Sequence, residues 1–199
     1  MVQSENGYVA SKGLAKRLKA YDKFYDRAKA EKLGLPEDTL ITPITPYKKR
    51  IRFKVLEFEK LIDSSNITVQ QQMEIAQCIF DNYNFYDGFV VLHGTDTMAY
   101  TSSLLSFVLE NLNKTVCVTG SQIPLSELRN DAVDNLLGAL LVAGPFLIPE
   151  VVLYFNNRLM RGNRASKTSC NALAAFNSVN YDVLGAFGVT FDVRWELVL

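Results

Sequence analysis

An α/β protein, with a doubly wound, mostly parallel sheet and helices on both faces, is the fold class the sequence predicts. Three observations carry this. Extended and helical patterns alternate from residue 68 onward; Phe89-Val90-Val91-Leu92 and Val151-Val152-Leu153-Tyr154-Phe155 are apolar on both faces, as strands covered by helices on each side are; and the strand over 88–93 runs straight into a glycine turn with two hydroxyls flanking a carboxylate, Gly94-Thr95-Asp96-Thr97. In open α/β sheets small polar ligands bind just beyond the carboxyl ends of the strands, so that turn is where a site belongs.

Residues 12–33 set Leu14, Leu18, Tyr21, Tyr25 and Ala28 at helical spacing, and Gly34-Leu35-Pro36 stops the pattern. Residues 38–47, with Pro43 and Pro46, read as a loop, and 51–58 alternate with the period of a half-buried strand. A helix over 68–84, a strand over 88–93, a helix over 97–112, a strand over 115–119, a helix over 130–143 and a strand over 150–155 follow. Residues 189–199 read as a last strand with nothing after it, and no internal repeat or low-complexity segment is present.

Length and an apolar share of 48% suffice for one domain with a sizeable core, or for one domain and part of another. With 21 basic and 21 acidic residues, the chain as a whole gives no electrostatic support to a nucleic-acid or membrane-surface role. The basic run Lys48 to Lys54 reads as a solvated loop entering a strand. Cys78, Cys117 and Cys170 form no Cys-x-x-Cys pair; Cys78 and Cys117 read as buried thiols, and the single histidine leaves no zinc ligand set. The N-terminus lacks the apolar core of a signal peptide and no span is long enough to cross a membrane, which predicts a cytoplasmic protein with no membrane or nucleic-acid partner.

Thr95 and Asp96 fall at the start of a helix, where backbone amides favour a negative group. Thr95, Asp96 and Thr97 are equally suited to capping that helix. Lys167, in the polar stretch 158–168, can ease removal of a proton from a hydroxyl if burial tunes it, and is otherwise a surface lysine. His93 is poorly placed to pair with Asp96 in so tight a turn, and no Gly-x-Ser-x-Gly or Ser-x-x-Lys motif exists, so His93 reads as a strand-end residue holding the turn. Asp63-Ser64-Ser65-Asn66 reads as capping chemistry before a helix, or as hydroxyls and amides that hold a carboxylate.

Five segments in order, Asp63-Ser64-Ser65-Asn66, His93 to Met98, Thr119-Gly120-Ser121-Gln122-Ile123-Pro124, Asn130-Asp131 with Asn135-Leu136, and Phe155 to Arg158 with Arg161 to Lys167, together resemble the bacterial-type L-asparaginases of the cytosolic type I branch. The segment 28–40 is similar to the longer form in animal members, which often add a C-terminal ankyrin region. The resemblance implies hydrolysis of L-asparagine to L-aspartate and ammonia through a threonine acyl-enzyme, without cofactor. It implies that Thr95, Asp96 and Lys167 are a catalytic triad and that Asp96 also binds the substrate amine. Ser64 would take the α-carboxylate with Ser65, Asp63 and Gly94 beside it, and Tyr8 would be the lid tyrosine that orients the primary nucleophile. That nucleophile lies, in the family, in a Thr-Gly-Gly-Thr turn after a first strand inside the sheet; no such turn occurs in the sequence. Residues 1–199 are therefore expected to be an incomplete N-terminal asparaginase domain without its C-terminal domain, inactive as they stand, and homo-oligomeric at full length. An amidohydrolase subunit of a tRNA amidotransferase and a non-catalytic regulatory protein on the same scaffold are the alternatives.

Overall fold

A computed structural model describes residues 2–4 and 7–199, with the backbone alone for residues 2–4, 7 and 8. The chain divides into two compact units, Met1–Ile62 and Asp63–Leu199.

In the first unit, β1 (Val2–Ser4) and β2 (Gly7–Val9) form an antiparallel pair, followed by α1 (Leu14–Leu18), α2 (Arg27–Lys32), β3 (Thr39–Ile41) and β4 (Arg52–Lys54). The helix expected over 12–33 is two short helices. Asp26 breaks it by capping α2: its carboxylate accepts from Lys29 N at 2.9 Å and pairs with Arg50 at 2.6 Å, while its own N–H donates to Ile41 O. An aspartate so held cannot continue a helix from α1. The loop expected over 38–47 contributes β3, whose three residues are all buried and pair antiparallel with β4; of the strand expected over 51–58 only Arg52–Lys54 is a strand, with Ile51 bonded across to Thr42 beside it. Leu18, Phe24, Ala30 and Leu40 form the interior.

The second unit runs α3 (Val69–Asn82), β5 (Gly88–Leu92), α4 (Met98–Val108), β6 (Thr115–Thr119), α5 (Ala132–Ala143), β7 (Val151–Phe155), β8 (Arg158–Arg161), β9 (Ser166–Lys167), β10 (Phe176–Asn177), β11 (Gly185–Phe187) and β12 (Phe191–Val193). Its six-stranded sheet has the order β12-β11-β8-β7-β6-β5; β5, β6 and β7 are parallel, and β7-β8, β8-β11 and β11-β12 are antiparallel. The alternation read from the sequence thus describes the parallel half, which is the half that carries the site.

Helices lie on both faces. Met98 and Leu105 of α4 and Ala76 and Ile79 of α3 pack with Val116, Val118, Val151, Leu153 and Phe155. The opposite side chains of β7 face α5, where Gly138 leaves room for the Tyr154 ring; a Cβ there would stand 2.2 Å from it. β6 and β7 are buried throughout, as continuous apolar runs require. β5 is not: Phe89, Val90 and Val91 are half-buried and Leu92 is 46% exposed, because β5 closes the sheet at one edge.

Asn156 and Asn157, both at positive φ (46° and 63°), turn β7 into β8, the left-handed pair that a two-residue hairpin demands. The last strand is only β12, and a short 3-10 turn, Trp195–Leu197, follows it. The buried Arg161 holds this segment: it is bidentate to Glu150 (2.6 and 3.0 Å) and donates to Leu197 O, and Glu150 accepts from Leu199 N. Among the cysteines, Cys117 is buried as expected, Cys78 is half-buried and Cys170 is exposed.

Candidate active site

The site forms where the parallel strands end. His93 N donates to Thr119 O at 2.8 Å, which carries the β5-β6 pairing one step past the strand, and Gly94 then turns the chain toward α4. Gly94 is needed for space: a Cβ would lie 2.4 Å from Ser64 Oγ and 2.7 Å from Ser64 Cβ.

The three cap-type residues that follow do not cap. Thr97 occupies the N-cap position of α4 without a side-chain capping bond, and its hydroxyl donates instead to Ser64 O at 2.7 Å. Asp96 pairs with Lys167 Nζ at 2.7 Å. Thr95 Oγ1 accepts from the same Nζ at 2.9 Å and donates to Gln122 Oε1 at 3.0 Å. Lys167 reaches them from β9, 71 residues further along the chain than Asp96. Its side chain is 15% exposed whereas that of Asp96 is 58% exposed, so the ammonium is shielded and the carboxylate faces solvent. A lysine placed this way is held by two partners and is no surface residue. The group can move a proton between an amine and a hydroxyl and present a carboxylate to a cationic ligand.

Asp63 and Ser64–Asn66 form a short 3-10 turn in which the Asp63 carboxylate accepts from Ser65 N at 3.1 Å. Ser64 is buried against Gly94, and Ser65 and Asp63 are exposed. The segment does not cap the helix that follows: Asp63 caps only its own 3-10 turn, and α3 is capped by Thr68, whose hydroxyl accepts from Gln71 N while Gln71 Oε1 accepts from Thr68 N. The side chain of Tyr8 lies outside the described residues.

His93 makes no bond to Asp96. Its Nδ1 bonds Gly94 O at 2.7 Å and its Nε2 bonds Thr101 Oγ1 at 2.9 Å, and burial pushes the imidazole below its ordinary pKa. It is a strand-end residue that holds the turn, as its position suggests.

Gln122 is the residue that the sequence left without a role. Its Nε2 donates to Cys170 O at 3.0 Å and Ala172 O at 3.2 Å, and its backbone is fixed in turn by Asp131, whose carboxylate accepts from Gln122 N (3.0 Å) and Ile123 N (2.8 Å). Asn135, 3% exposed, donates to Gly120 O and Asp131 and accepts from Asn156 N. The segments 119–124, 130–136 and 155–158 are thus one hydrogen-bonded scaffold beneath the site. Their only sequence trace was their joint occurrence, because the distances that join them are set by tertiary structure. Among the described residues no group of His, Cys, Asp and Glu is arranged to hold a metal ion.

A family profile described as "Asparaginase, N-terminal" matches residues 1–199. The "60 kDa lysophospholipase" of Mus musculus is 48% identical over 198 residues, covering 99% of this chain and 35% of that protein. "L-asparaginase 1" of Escherichia coli (strain K12) is 55% identical over 137 residues, 69% of this chain and 40% of that protein. The crystal structure of L-asparaginase I from Vibrio cholerae superposes with a TM-score of 0.69 at 52% identity, over 72% of this chain and 44% of that one. The chain thus spans well under half the length of these relatives. A profile match over the full length, supported by a fold neighbour with half its aligned residues identical, leads to one conclusion: the chain belongs to the asparaginase family, over its N-terminal domain.

Proposed function

We propose that residues 63–199 carry the proton-relay and substrate-amine half of an L-asparagine amidohydrolase centre. The observation that carries the reading is the convergence of Lys167 Nζ on Thr95 Oγ1 (2.9 Å) and Asp96 Oδ1 (2.7 Å). Two adjacent residues of one turn and a lysine from a distant strand meet only if the fold is built to bring them together. In this reading the exposed Asp96 carboxylate binds the α-amine of L-asparagine, and the turn at Asp63-Ser64-Ser65 takes its α-carboxylate. Thr95 and Lys167 move protons during amide cleavage.

The Thr-Gly-Gly-Thr turn that supplies the family's nucleophile is not in the sequence, so these 199 residues bind without forming an acyl-enzyme. Cytoplasmic location and homo-oligomerisation at full length belong to the same proposal.

The name of the mouse relative prompts a lysophospholipase reading. It would need a serine activated by a base, and the one imidazole of the chain is committed to Gly94 O and to Thr101, a threonine with no exposed surface.

Calorimetric titration with L-aspartate tests the proposal. The unsubstituted chain should bind, Asp96→Ala should weaken binding at least about tenfold through loss of a charge-assisted contact, and neither should release ammonia from L-asparagine. Equal affinity for the two proteins, or ammonia release that Thr95→Ala abolishes, contradicts the reading.

A further inference from the structure

Donor and acceptor accounting at Gln122 fixes a direction in the site. Main-chain carbonyls only accept, so the end of the Gln122 amide that meets Cys170 O and Ala172 O is its NH2 group, and the oxygen end faces Thr95. A threonine hydroxyl carries one proton. With Gln122 Oε1 at 3.0 Å, that proton points at Gln122, and the lone pairs of Thr95 are left to Lys167, whose Nζ donates at 2.9 Å.

We infer that Gln122 is a positioning residue that sets the polarity of the relay, so that protons run from Lys167 to Thr95 and outward, with Gln122 Oε1 holding the place of the outward acceptor. The same side chain acts at its other end on Lys167, because the loop it grips at residues 170 and 172 follows directly from β9. Asp131 locks the backbone of Gln122, so the amide has little freedom to reverse.

The inference rests on the amidohydrolase reading and deepens it: the relay is the acid arm of the reaction. As the amide C–N bond breaks and its electron pair passes to nitrogen, the Thr95 hydroxyl proton transfers to that nitrogen and completes ammonia. One proton from Lys167 Nζ replaces it on Thr95 Oγ1, so the hydroxyl ends neutral and Lys167 ends as the free amine beside Asp96. The proton released by the attacking hydroxyl or water restores the ammonium within the turnover.

The test needs no turnover and uses the 199-residue chain. In a Cys78→Ser background, the reaction of Cys170 with a disulfide reagent reports the loop, since Cys170 is exposed and Cys117 buried. The 15N signal of the Lys167 ammonium, visible while its protons are held in hydrogen bonds, reports the relay. Gln122→Met, which loses both ends, should speed Cys170 labelling about fivefold or more, the scale of a lost neutral hydrogen bond, and should erase the Lys167 signal. Gln122→Glu keeps an acceptor toward Thr95 and loses the donated bonds. It should label as fast as the methionine variant and retain the Lys167 signal, a split that mere loosening of the loop would not produce. A signal that persists in Gln122→Met, or that disappears in Gln122→Glu, overturns the inference, and the glutamate variant decides alone if the methionine variant does not fold. L-Aspartate binding by the unsubstituted chain is read alongside; its failure removes the amidohydrolase reading and leaves the polarity result standing.

Discussion

Gln72, Thr101 and His93 form a chain of hydrogen bonds that runs in one direction. Gln72 Nε2 donates to Thr101 Oγ1 at 2.8 Å, and His93 Nδ1 meets a carbonyl that only accepts, so Nδ1 carries the proton; Nε2 then accepts from the Thr101 hydroxyl. The arrangement suits a neutral imidazole, the form that burial favours. Below about pH 6.5 the unfolded chain takes up a proton at this residue that the folded chain refuses, so the unfolded state binds more protons and stability falls with acidification. His93 contributes fully above that pH, and its contribution declines as the pH falls toward the depressed folded value. Thermal unfolding between pH 7.5 and 5.5 should show this as a loss of at most about 1.4 kcal/mol per pH unit, and His93→Gln should flatten that part of the profile. A variant with the same slope as the parent would place the titration elsewhere.

β5 is the element whose surroundings differ most from what its composition implies. A run of Phe, Val, Val and Leu is the pattern of a strand covered on both sides, yet among the described residues β5 has one strand neighbour and leaves Leu92 46% exposed. An apolar strand with a free row of backbone donors and acceptors invites a second strand. The 199-residue chain should therefore associate through this edge as its concentration rises. Leu92→Lys, which adds a charge at an exposed position of the edge, should reduce light scattering without lowering the melting temperature; unchanged scattering would exclude the β5 edge as the cause. Periodicity revealed what local pattern controls: the parallel strands β6 and β7, the helices α3, α4 and α5, and the turn between β5 and α4. It could not show that β5 ends the sheet, because which strand is outermost depends on partners far along the chain. Nor did it show β8, although the Asn156-Asn157 pair, both residues at positive φ, marks a hairpin. In the site, Thr95 and Asp96 were legible from one turn; the polar stretch 158–168 left Lys167 open between a proton-transfer role and a surface position, and only the resemblance joined it to the other two. Gln122 carries no local mark, since its role consists of bonds to residues 95, 170 and 172.

The division of the chain separates charge as well as structure. Residues 1–62 hold 14 basic and 8 acidic side chains and residues 63–199 hold 7 and 13, so a chain with no net charge joins two units of opposite sign. Every described residue of the relay and its scaffold belongs to the second unit, as does the apolar cluster around β6 and β7. Within the first unit, Arg50 pairs with Asp26, Lys54 pairs with Asp38, and the Glu57 carboxylate accepts from Gly13 N and Leu14 N at 2.9 and 3.0 Å. Because the relay, its scaffold and the apolar cluster around β6 and β7 all lie within the second compact unit, a chain of residues 63–199 should fold alone. Its net negative charge should keep it soluble near neutral pH, where the whole chain, close to its isoelectric point of 6.6, is least protected from association. The expected result is a cooperative thermal transition by circular dichroism, with the Lys167 ammonium signal at the same position as in the 199-residue chain. A broad, non-cooperative loss of structure would show that residues 1–62 contribute to the core of the second unit. A cooperative transition without the ammonium signal would show that they contribute to the relay instead.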